Sequence, residues 1–173
     1  MNSLWGNIFK VRQKKEDAIH DILKRVPIFE DFGGRDLDRI ERILHRRQYG
    51  QDEVIFLQGQ PGLGMYIIEE GTIEILSEPD KVHLAELHSG EFFGELALLD
   101  DSPRTATAVA LTNCKMLCLF QPDLLDLIDR NRRLGIKILF RLASTIGQRL
   151  KKTNEYLSET MKSGNIDDAV SGR

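Results

Sequence analysis

The period of the apolar positions changes twice along the chain. Leu4, Trp5, Ile8 and Phe9 recur at helical spacing, and the basic residues Lys10, Arg12, Lys14 and Lys15 follow them. Between Asp17 and Val26, Ile19, Ile22, Leu23 and Val26 form one face of an amphipathic helix that Pro27 stops. Leu37, Ile40, Ile43 and Leu44 predict another short helix over Asp36 to His45. From about Arg47 to Phe120 the pattern becomes strand-like. Short apolar runs (54–57, 65–68, 73–76, 82–87, 106–111 and 116–120) alternate with Gly59, Pro61, Gly62, Gly64, Gly71, Pro79 and Gly90. Turn residues about every 8 to 12 positions predict a barrel or jelly roll, not a parallel sheet alternating with helices. Helical signals resume after Pro122 with Leu124, Leu125, Leu127 and Ile128, and Arg132 to about Met161 holds no proline and reads as one long helix. Ser158 to Arg173 reads as a polar, mostly disordered tail. The expected organisation is an amphipathic, basic segment over 1–15, one domain with flanking helices over 16–160, and a tail over 161–173.

Composition narrows the class. The chain has 173 residues, 41% hydrophobic and 29% charged, which suits one globular domain with a real core and excludes wholesale disorder. Its formal net charge of -3 gives no global reason to coat nucleic acid. Two cysteines, Cys114 and Cys118, make neither a disulfide framework nor a four-ligand zinc site. No apolar stretch reaches the roughly 20 residues that span a bilayer. Met1-Asn2-Ser3-Leu4 lacks the basic start and apolar core of a secretory signal, so a cytoplasmic location is expected.

One stretch carries chemistry. Phe92-Phe93-Gly94-Glu95-Leu96-Ala97-Leu98-Leu99-Asp100-Asp101-Ser102-Pro103-Arg104-Thr105-Ala106-Thr107 interrupts the strand pattern in the middle of the β region. Gly94 lets the backbone approach a ligand, and Glu95 to Leu99 predict about one helical turn. The start of such a turn presents free N–H groups to an anion. Pro103 sets the backbone before Arg104, whose planar fork grips two phosphate oxygens together. Glu95 supplies an acceptor for sugar hydroxyls. Together these groups fit a ribose-phosphate ligand.

This run resembles the phosphate-binding cassette of cyclic nucleotide-binding domains. That family includes the catabolite activator protein, the regulatory subunits of cAMP-dependent protein kinase and the cyclic-nucleotide-gated channels. The resemblance extends over roughly residues 22–158. It takes in Val26-Pro27-Ile28-Phe29, Val54-Ile55-Phe56-Leu57-Gln58-Gly59-Gln60-Pro61-Gly62 and Met65-Tyr66-Ile67-Ile68-Glu69-Glu70-Gly71. It implies a mainly β, α+β fold: a double-stranded β-helix (a jelly-roll, cupin-like β-roll) with N-terminal helices and a long C-terminal helix. It implies cAMP or cGMP as the ligand, with no metal. By resemblance Glu95 binds the ribose 2′-hydroxyl and Arg104 neutralises the cyclic phosphate, while backbone amides of Gly94, Leu96 and Ala97 add hydrogen bonds. Thr105 reaches phosphate or a guanine amino group, Ala106 forms a small wall, and Val82 and Leu84 are candidates for apolar contact with base or sugar. The contrasting expectation is a scaffold without nucleotide, in which Glu95 and Arg104 pair with each other and the chain serves as an interaction module.

The remaining features bear on partners. Leu139, Ala143, Ile146, Leu150 and Leu157, with Thr153 between, follow coiled-coil steps and predict a homodimer through the C-terminal helix. Leu134, Ile138 and Leu142 form a neighbouring stripe suited to packing on the barrel. Leu4, Trp5, Ile8 and Phe9 suit weak contact with a membrane surface or a partner, or packing on the barrel itself. Cys114 and Cys118 fall on one face of a strand and are expected to pack. His20, His45, His83 and His88 show no metal-ligand spacing, and Asp100-Asp101 suits a solvated loop tip. No nucleophile-base order or metal triad appears, so no catalysis is expected. A stand-alone, bacterial-type sensor is expected, acting on an unidentified protein effector and without direct DNA binding.

Overall fold

A computed structural model describes residues 18–170 of the chain, with side chains through 161. The expectations for Leu4, Trp5, Ile8 and Phe9 lie outside the described residues. The first helix, α1 (18–23), buries Ile19 and Leu23 and then unwinds before Pro27 through the Arg25 and Val26 amides, which bond to the carbonyls of Ile22 and Leu23. Helix α2 (Gly34–Glu41) buries Leu37 and Ile40. It ends four residues earlier than the apolar spacing suggested, because Ile43 closes the last turn onto Ile40 and Leu44 already begins strand β1 (Leu44–Tyr49).

Strands β2 (Val54–Phe56), β3 (Gly64–Glu70), β4 (Ile73–Ser77), β5 (Val82–Leu87), β6 (Phe92–Phe93), β7 (Thr107–Ala110) and β8 (Cys114–Phe120) complete two antiparallel sheets. Their orders are β1-β8-β3-β6 and β2-β7-β4-β5, the β-roll expected from the rhythm of turn residues. The central strands are buried on both faces, so β3 and β8 read as continuous apolar runs instead of alternating ones. On β3, Met65 and Ile67 join the core beneath the helices, while Ile68 joins the core inside the roll, against which Tyr66 packs. On β8, Leu117 and Leu119 face the helices, while Cys114, Met116 and Cys118 face inward. Both cysteines are free and buried, as their spacing suggested.

Helix α3 (Gln121–Arg130) starts at Pro122 in its first turn and buries Leu124 and Leu127. Helix α4 (Arg132–Val170) follows after Asn131. Gly135 sits where α4 crosses α3: a Cβ there would lie 2.5 Å from Ile128 Cγ1. Leu134, Ile138 and Leu142 of α4 are buried against the helical core, as their stripe suggested. Arg141 ties the same helix to the Pro27 carbonyl at 2.6 Å, to Asp31 at 3.2 Å and to Glu30. With no proline to stop it, α4 runs on through most of the stretch expected to be tail, as far as Val170.

The stripe expected to pair with a second copy is partly covered. Leu139 and Ile146 are partly buried, Ile146 against the helical core. The free stripe instead runs Ile136, Phe140, Ala143, Gly147, Leu150, Asn154, Leu157 and Met161, again in alternating steps of four and three. Its five large apolar members are each more than half exposed, Phe140 at 74%.

Candidate ligand-binding site

A cavity of about 500 Å³ opens between the second sheet, the interrupting cassette and α4. Phe56, Ile75, Ala85, Leu87 and Phe93 form its apolar walls, and Gly94 to Ala97 and Ser102 to Ala106 form its polar side. From α4 come Arg149, Lys152 and Thr153.

The cassette is built on one backbone exception. Gly94 has φ 73° and ψ 17°, the left-handed region, and turns the chain from β6 into a short 3-10 turn over Glu95–Leu98. A Cβ at Gly94 would meet Arg104 Nη1 at 2.6 Å, so glycine is needed both for the turn and for the guanidinium beside it. Ala97 and Leu98 anchor the turn in the interior. The Ala97 amide already donates to the Gly94 carbonyl at 3.3 Å, closing the turn.

Arg104 is held at both ends. Its amide donates to Gln60 O at 2.8 Å, and its carbonyl accepts from Gly59 at 2.9 Å, pinning the segment after Pro103 to the loop between β2 and β3. Its side chain is buried. Nη1 donates to the Gly94 carbonyl at 3.1 Å, Nη2 donates to the Gly64 carbonyl at 2.8 Å, and Cζ lies 4.1 Å from the centre of the Phe56 ring. Nε is buried with no hydrogen-bond partner. Burial lowers the pKa of this guanidinium, and the neighbouring Tyr66 and Glu95 oppose the shift. Arginine nevertheless keeps its charge at neutral pH. Among the described residues no carboxylate lies within ion-pair distance of it. A buried cation with two carbonyls, an aromatic face and no anion is chemically incomplete.

Glu95 is also buried, and its partner is not Arg104. Arg149 of α4 donates from Nη1 to Glu95 Oε1 at 2.7 Å and from Nη2 to the Phe92 carbonyl at 2.9 Å, with its guanidinium 4.2 Å from the Phe92 ring centre. The long helix is thereby fastened to the floor of the cavity. Arg149 escaped the sequence reading because it lies 54 residues from Glu95. The only local signal was a charged residue on the helix face that continues Leu134, Ile138 and Leu142.

The expected residues Gly94, Glu95, Leu96, Ala97, Arg104, Thr105 and Ala106 all line this one cavity. Val82 and Leu84 do not. Both are 54% exposed, and Ala85 and Leu87 take the wall instead. An irregularity in the pairing of β4 with β5, where Ile75 faces Ala85 but Leu76 faces His83, sets the phase of the strand.

Comparison with known proteins shows the family. Residues 46–131 match the model of the cyclic nucleotide-binding domain. The cyclic AMP receptor protein of Thermus thermophilus is 34% identical over 136 residues, spanning 76% of this chain and 61% of that protein. A cyclic nucleotide-gated potassium channel of Rhizobium etli is 34% identical over 127 residues, spanning 70% of this chain and 35% of that protein. Among solved structures, the catabolite activator protein of Thermus thermophilus superposes with a TM-score of 0.69 at 31% identity, over 78% of this chain and 63% of that one. A cyclic nucleotide-binding domain from Methylobacillus flagellatus shares the fold with a TM-score of 0.74 at 21% identity, over 85% of this chain and 84% of that one. The chain belongs to the cyclic nucleotide-binding domain family, a class of regulatory, ligand-binding β-rolls. It covers less than two thirds of the length of the curated relatives named here. Among the described residues, no helix is long and apolar enough to cross a membrane, and no cluster of ligating side chains suits a metal.

Proposed function

We propose that this chain is a regulatory module that binds cAMP or cGMP in the cavity and signals through its C-terminal helices, without catalysis. The observation that carries the reading is the buried Arg104, charged and lacking an anion, beside a turn whose glycine leaves it room. A singly charged cyclic phosphate supplies the missing charge and acceptors. Glu95 then serves the ribose 2′-hydroxyl from the same turn, and Thr105 and Ala106 border the phosphate.

The Glu95–Arg149 contact links that pocket to α4. A ligand that engages Glu95 changes what holds Arg149, and it moves α4 only as far as it binds one helix arrangement better than the other. The exposed stripe on α4 supports a homodimer in which Ile136, Phe140, Leu150, Leu157 and Met161 pack against their equivalents. Asn154, the one polar residue within it, fixes the register.

Thermal melting with and without each nucleotide tests the assignment. Ligand at one hundred times its dissociation constant stabilises by about 2.7 kcal/mol. Arg104→Ala weakens binding by about 2–5 kcal/mol, the usual cost of deleting one member of a buried charge pair. Unchanged melting with both nucleotides refutes the reading and leaves the interaction module in its place.

A further inference from the structure

The polar groups that α4 brings to the cavity are not equally free. Arg149 is committed to Glu95 and the Phe92 carbonyl. Thr153 Oγ1 donates its proton to the Arg149 carbonyl at 3.0 Å, so that hydroxyl offers the cavity only an acceptor. Lys152 lines the cavity with no hydrogen-bond or ion-pair partner among the described residues.

Their order along the helix places them relative to the ligand. With phosphate at Arg104 and ribose at Glu95, the base is what remains to be housed. Lys152 and Thr153 lie three and four residues beyond the Arg149 that meets Glu95, roughly 4.5–6 Å along the axis and on nearly the same face. The apolar walls at Ile75 and Leu87 suit the flat ring.

We propose that Lys152 makes this site select a 6-oxo purine (guanine or hypoxanthine) over adenine. The inference rests on the cyclic-nucleotide reading of the cavity and specifies its ligand. An ammonium donates and never accepts. Guanine and hypoxanthine present two adjacent acceptors, O6 and N7, whereas adenine presents N7 beside a 6-amino donor. Lys152 therefore gains a second acceptor from a 6-oxo base and meets a like donor on adenine. Thr153 does not discriminate, since its acceptor is filled by N1–H of the first class or by the 6-amino group of the second.

Calorimetric titration of the full chain with cGMP, cIMP and cAMP tests this. cIMP shares O6 with cGMP but lacks its 2-amino group, so it isolates the contact assigned to Lys152. The expected result is that cGMP and cIMP bind about tenfold more tightly than cAMP. Lys152→Met removes that difference while leaving cAMP affinity within about twofold, and Lys152→Arg retains it. Equal or tighter cAMP binding by the wild type overturns the inference, as does a preference that survives Lys152→Met. Binding of cGMP and cIMP that depends on Arg104 but ignores Lys152 sinks the selectivity alone. Failure of all three nucleotides to bind sinks the cavity assignment together with it.

Discussion

The contact between Glu95 and Arg149 is where pocket and helix meet, and its energy can be worked out from its surroundings. Arg149→Met keeps an apolar stem over the Phe92 ring but removes both hydrogen bonds. It leaves the Glu95 carboxylate, 9% exposed in its side chain, without that donor. Stranding a buried acceptor costs about 1–3 kcal/mol, more for a charged one. Here Arg149 is itself 43% exposed, so water compensates part of the loss. About 1–2 kcal/mol remains. For a domain of this size that lowers Tm by roughly 2–8 °C. The assay is a double-mutant cycle in thermal unfolding with Glu95→Gln, Arg149→Met and their combination. A coupling of about 1 kcal/mol between the two positions is expected. Additive effects would show that the pair is a surface ornament, and the proposed link from pocket to α4 would then have no physical basis.

Three further outcomes follow from the same structure. Gly94→Ala places a methyl 2.6 Å from Arg104 Nη1 and forces an alanine to φ 73°. It costs about 1–2 kcal/mol of stability and, by displacing the guanidinium, weakens cyclic-nucleotide binding by at least tenfold in calorimetry. Burial raises the Cys118 thiol from 9.0 to about 12. Because the fold favours the protonated thiol, this stabilisation is complete below pH 9 and is lost as pH rises from 9 toward 12. Cys118→Val makes the fall in that window shallower, as followed by denaturant titration, and leaves the part set by Tyr49 and Tyr66, whose hydroxyl pKa values burial also raises. Leu150→Glu, at an exposed stripe position, converts the proposed dimer to a monomer in analytical ultracentrifugation without altering nucleotide affinity more than about twofold.

What could be read from the chain was local. Gly94, Glu95 and Arg104 fall within one contiguous run, so their chemistry and spacing were visible without knowing the fold. The buried strands announced themselves as apolar runs because β3 and β8 are covered on both faces. Val82 and Leu84 misled because the run Val82-His83-Leu84-Ala85-Glu86-Leu87 carries apolar residues in both phases of a two-residue period. The irregularity opposite Ile75 and Leu76, which decides the phase, leaves no mark in β5 itself. The boundary at Leu44 was hidden for a similar reason: Ile43-Leu44 suits the end of a helix as well as the start of a strand. On α4, two heptad-like stripes coexist, and only the packing of Ile146 against the core shows which one is left over. Arg149 belongs to the site through a contact across 54 residues, a distance no local pattern encodes.

Arg104 and the turn after Gly94 are proposed to hold a cyclic phosphate. A crystal structure of the full chain grown with saturating cyclic nucleotide tests this most directly. Phosphate oxygens are expected within hydrogen-bond distance of the Arg104 guanidinium, with the ribose 2′-hydroxyl on Glu95. A nucleotide bound elsewhere, or a cavity filled only by water at millimolar nucleotide, would contradict this.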